Sequence, residues 1–147
     1  MVDVAAKPQT LRTAVAESAV RLTPKSLKAL RASLKSRGGL AKGNPFSVAV
    51  LAGIQAAKKT SDLIPLCHPI RVESVQVEPK LAGRRALFLV TCVTTDRTGI
   101  EMEAMVGAAV AALAFYDMLK SADHGIYLER VRLLRKTGGQ SGVFVAK

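Results

Sequence analysis

The sequence predicts one α+β domain, with a mainly antiparallel sheet and its helices on one face. Three observations carry this. At 147 residues and 49% hydrophobic content, the chain can bury one real core and is too short for two ordinary domains. A charged fraction of 22%, with abundant Val, Leu and Ile, argues against disorder. The segments run strand, helix, helix, strand, strand, helix, strand, the order expected when helices gather on one side of an antiparallel sheet.

Residues 1 to 9 read as a loose arm. Leu11 to Leu22 alternates in part and reads as a strand. Thr23 can cap a helix whose first position is Pro24. Leu27, Leu30 and Leu34 then form an apolar seam, with Lys25, Lys28, Arg31 and Lys35 around it and Arg37-Gly38-Gly39 as the stop. Asn44-Pro45 opens a second helix running to about Lys59. The two prolines in residues 62 to 69 call for an irregular loop. Val75 to Val77 and Ala86 to Val93 read as strands joined by a turn at Gly83. Glu103 to about Ser121 is a helix apolar nearly all round, so it must be buried on most sides, partly by another subunit. Tyr127 to Leu134 is the last strand, followed by a flexible tail, Lys136-Thr-Gly-Gly-Gln-Ser-Gly, which could fold over a ligand as a mobile lid or simply be a frayed terminus. This is the ferredoxin-like βαββαβ pattern with one extra helix, and the uncovered sheet face calls for partner subunits.

The formal charge is +11, from 22 Lys and Arg against 11 Asp and Glu, which favours anionic partners. Two cysteines imply no disulfide framework and fit a reducing cytosol. The N-terminus lacks a secretory pattern, and the longest uncharged apolar run, Met105 to Tyr116, is shorter than the roughly 20 residues of a membrane span. A cytoplasmic protein is expected.

Chemistry can sit in four places. His68 in the loop Leu66-Cys67-His68-Pro69 can exchange protons near neutral pH or be an ordinary turn histidine. Cys67, Cys92, His68 and His124 show no zinc spacing, so no metal is expected. Glu101 and Glu103 share a face if their stretch is extended, where they would bind a heterocycle's N–H groups; they equally suit a helix N-terminus. Asp117 ends a long uncharged run with Lys120 three positions on, suiting either acid–base work or a plain ion pair. Lys42-Gly43-Asn44 leads into a helix N-terminus that could hold phosphate, without being a Walker motif. The basic helix supports a rival reading as a nucleic-acid binder, which lacks interleaved aromatics.

Taken in order, Met1-Val-Asp-Val, Lys42-Gly43, Ala56-Ala-Lys-Lys-Thr-Ser-Asp-Leu-Ile-Pro-Leu-Cys-His-Pro, Arg97-Thr-Gly-Ile-Glu-Met-Glu-Ala, Tyr116-Asp-Met-Leu-Lys and Arg132-Leu-Leu-Arg-Lys-Thr-Gly-Gly-Gln-Ser-Gly resemble the successive motifs of the cyclic pyranopterin monophosphate synthase family, MoaC type. The resemblance covers almost the full chain. It implies a ferredoxin-like subunit in a homohexamer, a trimer of dimers. It also implies a lyase of molybdenum cofactor biosynthesis that rearranges a cyclised dihydro-GTP to a pyranopterin with a cyclic phosphate, releasing pyrophosphate. Carried over by position, Asp117 is the acid–base residue and Lys120 its partner. Leu66, Cys67, His68, Met102 and Glu103 line the substrate, and Glu101, Lys58, Lys42 and Arg12 complete the pocket. The partner is a small triphosphate, with no cofactor, no nucleic acid and no membrane. Asn44 and Gln140 depart from the pattern, standing where an acid and a lysine are common.

Overall fold

A computed structural model describes residues 1–35, 40 and 42–147. The elements are β1 (Thr10–Arg21), α1 (Pro24–Lys35), α2 (Pro45–Ala57), α3 (Thr60–Leu63), β2 (Ser74–Ala82), β3 (Arg85–Asp96), α4 (Glu101–Leu119), β4 (Tyr127–Thr137) and β5 (Phe144–Val145). The sheet order is β2-β3-β1-β4-β5, antiparallel throughout. Its first four strands reproduce the ferredoxin-like arrangement the sequence predicts.

Alternation makes the sheet two-faced. Ala14, Ala16, Ser18 and Val20 of β1 and Ala86, Phe88, Val90 and Cys92 of β3 are fully buried beneath the helices. The opposite face carries Glu17, held by Arg130 Nη2 at 2.7 Å, with the half-buried Leu87 and Leu89 nearby. The core is narrow because its residues are small. Its bulk comes from Phe46, Phe88 and Phe115, whose rings meet at centroid distances of 5.0 to 6.1 Å.

Helix starts follow their caps. The Ser26 amide donates to Thr23 Oγ1 at 3.1 Å while the Thr23 amide donates to Ser26 Oγ at 3.0 Å. Asn44 Oδ1 accepts from the Phe46 amide at 2.9 Å, and Pro45 fills the position where no N–H is needed. Asn44 therefore has a structural use of its own. In α1 the buried stripe is Ser26, Leu30 and Ser33, whereas Leu34 is 43% exposed. The leucine seam is thus rotated from the expected one, because the turn of 3.6 residues carries positions 27 and 34 to the stripe's edge. The Arg37-Gly38-Gly39 stop lies outside the described residues.

Helices α2 and α4 pack through small residues. A Cβ added to Gly53 of α2 would lie 3.0 Å from the Gly107 carbonyl oxygen and 3.1 Å from Ala111 Cβ of α4. A Cβ added to Gly107 would lie 3.4 Å from Ala57 Cβ. Small residues let the two helices approach closely, and the pairing makes them antiparallel. The start of α2 therefore lies beside the end of α4, and the end of α2 beside the start of α4.

Four expectations need correction. The loop expected over residues 62 to 69 begins with the end of α3 and is irregular only after Leu63. The strand expected at Val75–Val77 runs from Ser74 to Ala82, through Pro79. β2 is an edge strand, where a missing amide costs no ladder bond. The stretch holding Glu101 and Glu103 is helical, so the carboxylates do not share the face an extended strand would give them. The tail carries further sheet structure: β4 extends through Thr137, and β5 pairs Phe144 with Lys136. At Gly138 (φ 91°) the chain crosses β1 so closely that a Cβ would collide with the Leu11 carbonyl. By length and composition α4 could cross a membrane, but half of it is buried inside the fold.

Candidate active site

Helix α4 carries candidate residues at both ends, in opposite environments. At its N-terminus, Leu66, Cys67, His68, Glu101, Met102 and Glu103 line one cavity of about 300 Å³, together with Thr98 and Gly99. The loop after α3 brings the first three there, and the turn after β3 brings the rest. Glu101 and Glu103 lie two residues apart, about 200° around the helix. Their fates differ accordingly. Glu101 folds back over Gly99, where a side chain would collide with its carboxylate, and pairs with Lys136 Nζ at 2.9 Å. Glu103 is only 4% exposed. Burial, reinforced by the charge of Glu101, pushes its pKa up to about 7, against the pull of its own backbone amide. The same burial, with Glu103 beside them, raises the thiols of Cys67 and Cys92, the latter to about 12. Neither is a ready thiolate.

Thr98, Gly99 and Glu101 also line a second, adjoining cavity of about 460 Å³. Arg12 lies in its wall, its guanidinium fixed by donating to the carbonyls of Asp96 at 2.9 Å and Arg97 at 3.1 Å. Lys7, Arg97 and Lys136 line it too, as does Gln140. Lys136 opens the tail that the sequence marks as able to fold over a ligand, whereas Lys7 and Arg97 were not singled out as site residues. The tail Gly138-Gly139 beside Lys136 was the available signal, since a positive-φ pair turns the chain back over its own strand. Lys7 comes from the N-terminal arm, and Arg97, in the turn after β3, holds that arm by donating from Nη1 to the Ala5 carbonyl at 2.9 Å.

At the other end of α4, Asp117 receives two lysines. Lys120 Nζ lies 2.7 Å from Oδ1 and Lys42 Nζ 2.9 Å from Oδ2. Lys120 comes from the next turn of the same helix, and Lys42 from the segment ahead of α2, delivered by the antiparallel packing. Hydrogen bonds from Lys120 and then Lys42 lower the Asp117 pKa to about 2, and the same bond raises that of Lys120. The carboxylate is half exposed and open to a ligand. Lys58 follows α2 at the Glu103 end, exposed and lining neither cavity.

The predicted residues thus gather in two groups, one at each end of α4. Asp117 lies sixteen positions after Glu101, about 24 Å along a helix. Among the described residues, no three His, Cys, Asp or Glu side chains cluster as metal ligands would.

The model of the MoaC family matches residues 1–139. The chain belongs to the MoaC family. Two relatives show how closely this MoaC-family chain keeps to it. The cyclic pyranopterin monophosphate synthase of Pelobacter propionicus is 51% identical over 146 residues, covering 98% of this chain and 88% of the relative. That of Rhodospirillum rubrum is 49% identical over 148 aligned positions, covering 99% and 86%.

Proposed function

We propose that this chain is a cyclic pyranopterin monophosphate synthase, a lyase of molybdenum cofactor biosynthesis acting on a cyclised dihydro-GTP. Close identity over nearly the whole chain with two proteins of that name carries the reading.

The two groups at the ends of α4 supply complementary chemistry. The carboxylates of Glu101 and Glu103 suit the amino and ring N–H groups of a guanine-derived heterocycle, with Leu66, Cys67 and Met102 against its faces. His68 stands beside them for proton transfer. At the other end, a ring hydroxyl oxygen bonds to the α-phosphorus as the α–β P–O bond breaks, leaving a cyclic phosphate and free pyrophosphate. Lys42 and Lys120 offset the charge on the phosphate oxygens, and Asp117 takes and returns protons. A carboxylate with a pKa of about 2 is a feeble base. Phosphate oxygens that draw the lysines away would raise it into a useful range, so substrate arrival would switch it on. Arg12 and Lys58 add positive charge for the triphosphate. No net change of oxidation state occurs, so the reading requires no redox cofactor.

One small nucleotide cannot touch both ends of a helix about 24 Å apart. In this reading the Asp117 end of one subunit therefore meets the Glu103 end of a neighbour, in a homohexamer built as a trimer of dimers. Leu51 and Leu113, 63% and 53% exposed on adjoining turns of α2 and α4, supply apolar surface for such contacts. The setting is the cytoplasm, and neither nucleic acid nor membrane takes part.

Incubation of the purified protein with the cyclised dihydro-GTP tests the assignment. Pyrophosphate and the pterin, oxidised to its fluorescent form, should appear in equal amounts. Release of neither overturns it.

A further inference from the structure

A second basic surface lies away from both candidate groups. Helix α1 and the β2–β3 turn enclose a groove of about 470 Å³ lined by Pro24, Leu27, Lys28, Arg31, Ala32, Lys35 and Arg84. Its floor is apolar, from Leu27, Ala32 and Pro24. Among the described residues, its lining holds four cations and no acid. Lys28, Arg31 and Lys35 fall at three- and four-residue spacing on one helix face, a row about 10 Å long. Arg84 faces them from the turn, held there because the Leu22 amide donates to its carbonyl at 2.8 Å. Among the described residues, none of the four cations forms an ion pair.

Bare like charges concentrated on one face repel each other, so this rim is complementary to an anionic occupant. A second copy of this chain is a poor candidate. It has only 11 acids, of which Glu17, Glu101, Asp117 and Glu129 are ion-paired and Glu103 is buried. Nucleic acid fits less well than protein. Among the described residues, no aromatic lines the groove for base stacking, and an apolar floor gives phosphates nothing. A helical segment with acids flanking apolar residues matches both the row of cations and the floor. We propose that the α1 groove docks an acidic amphipathic helix of another protein.

The probe is a fluorescein-labelled peptide of twelve residues made of Glu, Asp and Leu, with Leu at helical spacing. Polarisation should saturate at moderate salt and weaken as salt rises. Arg31→Glu and, separately, Lys35→Glu should each weaken binding by roughly tenfold, because reversal both removes an attraction and adds a repulsion. Lys80→Glu makes the same change in net charge on β2 and should alter binding less than about twofold. All three should keep wild-type turnover of the cyclised dihydro-GTP. A peptide that fails to saturate overturns the proposal, as does equal weakening by all three variants. Loss of turnover in Arg31→Glu would instead assign the groove to the active site. Tighter binding of a labelled mixed-sequence DNA duplex than of the peptide at physiological salt also overturns it, in favour of nucleic acid.

Discussion

The two ends of α4 hold carboxylates whose ionisation is pushed in opposite directions. Glu103 is buried against Cys92 and Cys67 and holds its proton up to about pH 7. Asp117 is half exposed, clamped by two lysines, and stays ionised down to about pH 2. Both sit on one helix, and what differs is the company. Burial without a cation favours the neutral acid, whereas two ammonium groups favour the anion even near solvent. The first can donate a hydrogen bond at neutral pH. The second waits for a ligand to take its lysines.

Asp117→Asn removes the charge while preserving shape, so it isolates chemistry from packing. Turnover should fall by roughly 10² to 10⁴-fold, the range of general acid–base groups, while melting temperature and oligomer size stay near wild type. Lys120→Ala should fall comparably. Wild-type rates in both would reduce the triad to a surface ion pair.

His68→Ala should be next in effect. The side chain lies in irregular backbone lining the smaller cavity, so the fold should survive and turnover should drop severely. An unchanged rate would leave His68 an ordinary turn residue.

Glu103 makes a prediction about stability. Its folded pKa lies above the ordinary carboxylate value of 4.5, at about 7. At pH below 4.5 both folded and unfolded chains hold the proton and burial carries no electrostatic penalty. As pH rises through this window the unfolded state ionises first, so wild type loses stability until about pH 7, by an amount on the order of 3 kcal/mol. Glu103→Gln cannot ionise. The wild-type melting temperature should therefore fall relative to Glu103→Gln between pH 4.5 and 7. A difference that stays flat would contradict the burial account.

The smallest effect belongs to Asp117. Its folded pKa is depressed, so its contribution is present above pH 3.8 and lost as pH falls through about 2. Because the pair is exposed, added salt should erase most of it, as judged by comparing acid denaturation of wild type and Asp117→Asn at low and high salt.

Much of this was legible in the sequence, for identifiable reasons. Asn44-Pro45 and Thr23-Pro24 marked helix starts because capping is local chemistry. The uncharged run before Asp117 marked a buried helix ending at a charge. Lys42 beside Asp117 was not legible by spacing, since they lie 75 positions apart and are brought together by the close packing of α2 on α4. The Glu101–Glu103 stretch misled because an i,i+2 pair shares a face in a strand and splits in a helix. The tail looked flexible from its glycines, yet those glycines are what let it pass close to Leu11 and Arg12, while the pairing of β4 with β1 places Lys136 beside Glu101.

In the proposed enzyme the two ends of α4 act together across subunits. This is tested by mixing Asp117→Asn and His68→Ala, each inactive alone, unfolding them together and refolding. Random pairing should leave about a quarter of sites with both native halves, and turnover should return to about a quarter of wild type. Activity no greater than that of the separate variants, in a mixture shown to exchange subunits, would contradict a shared site.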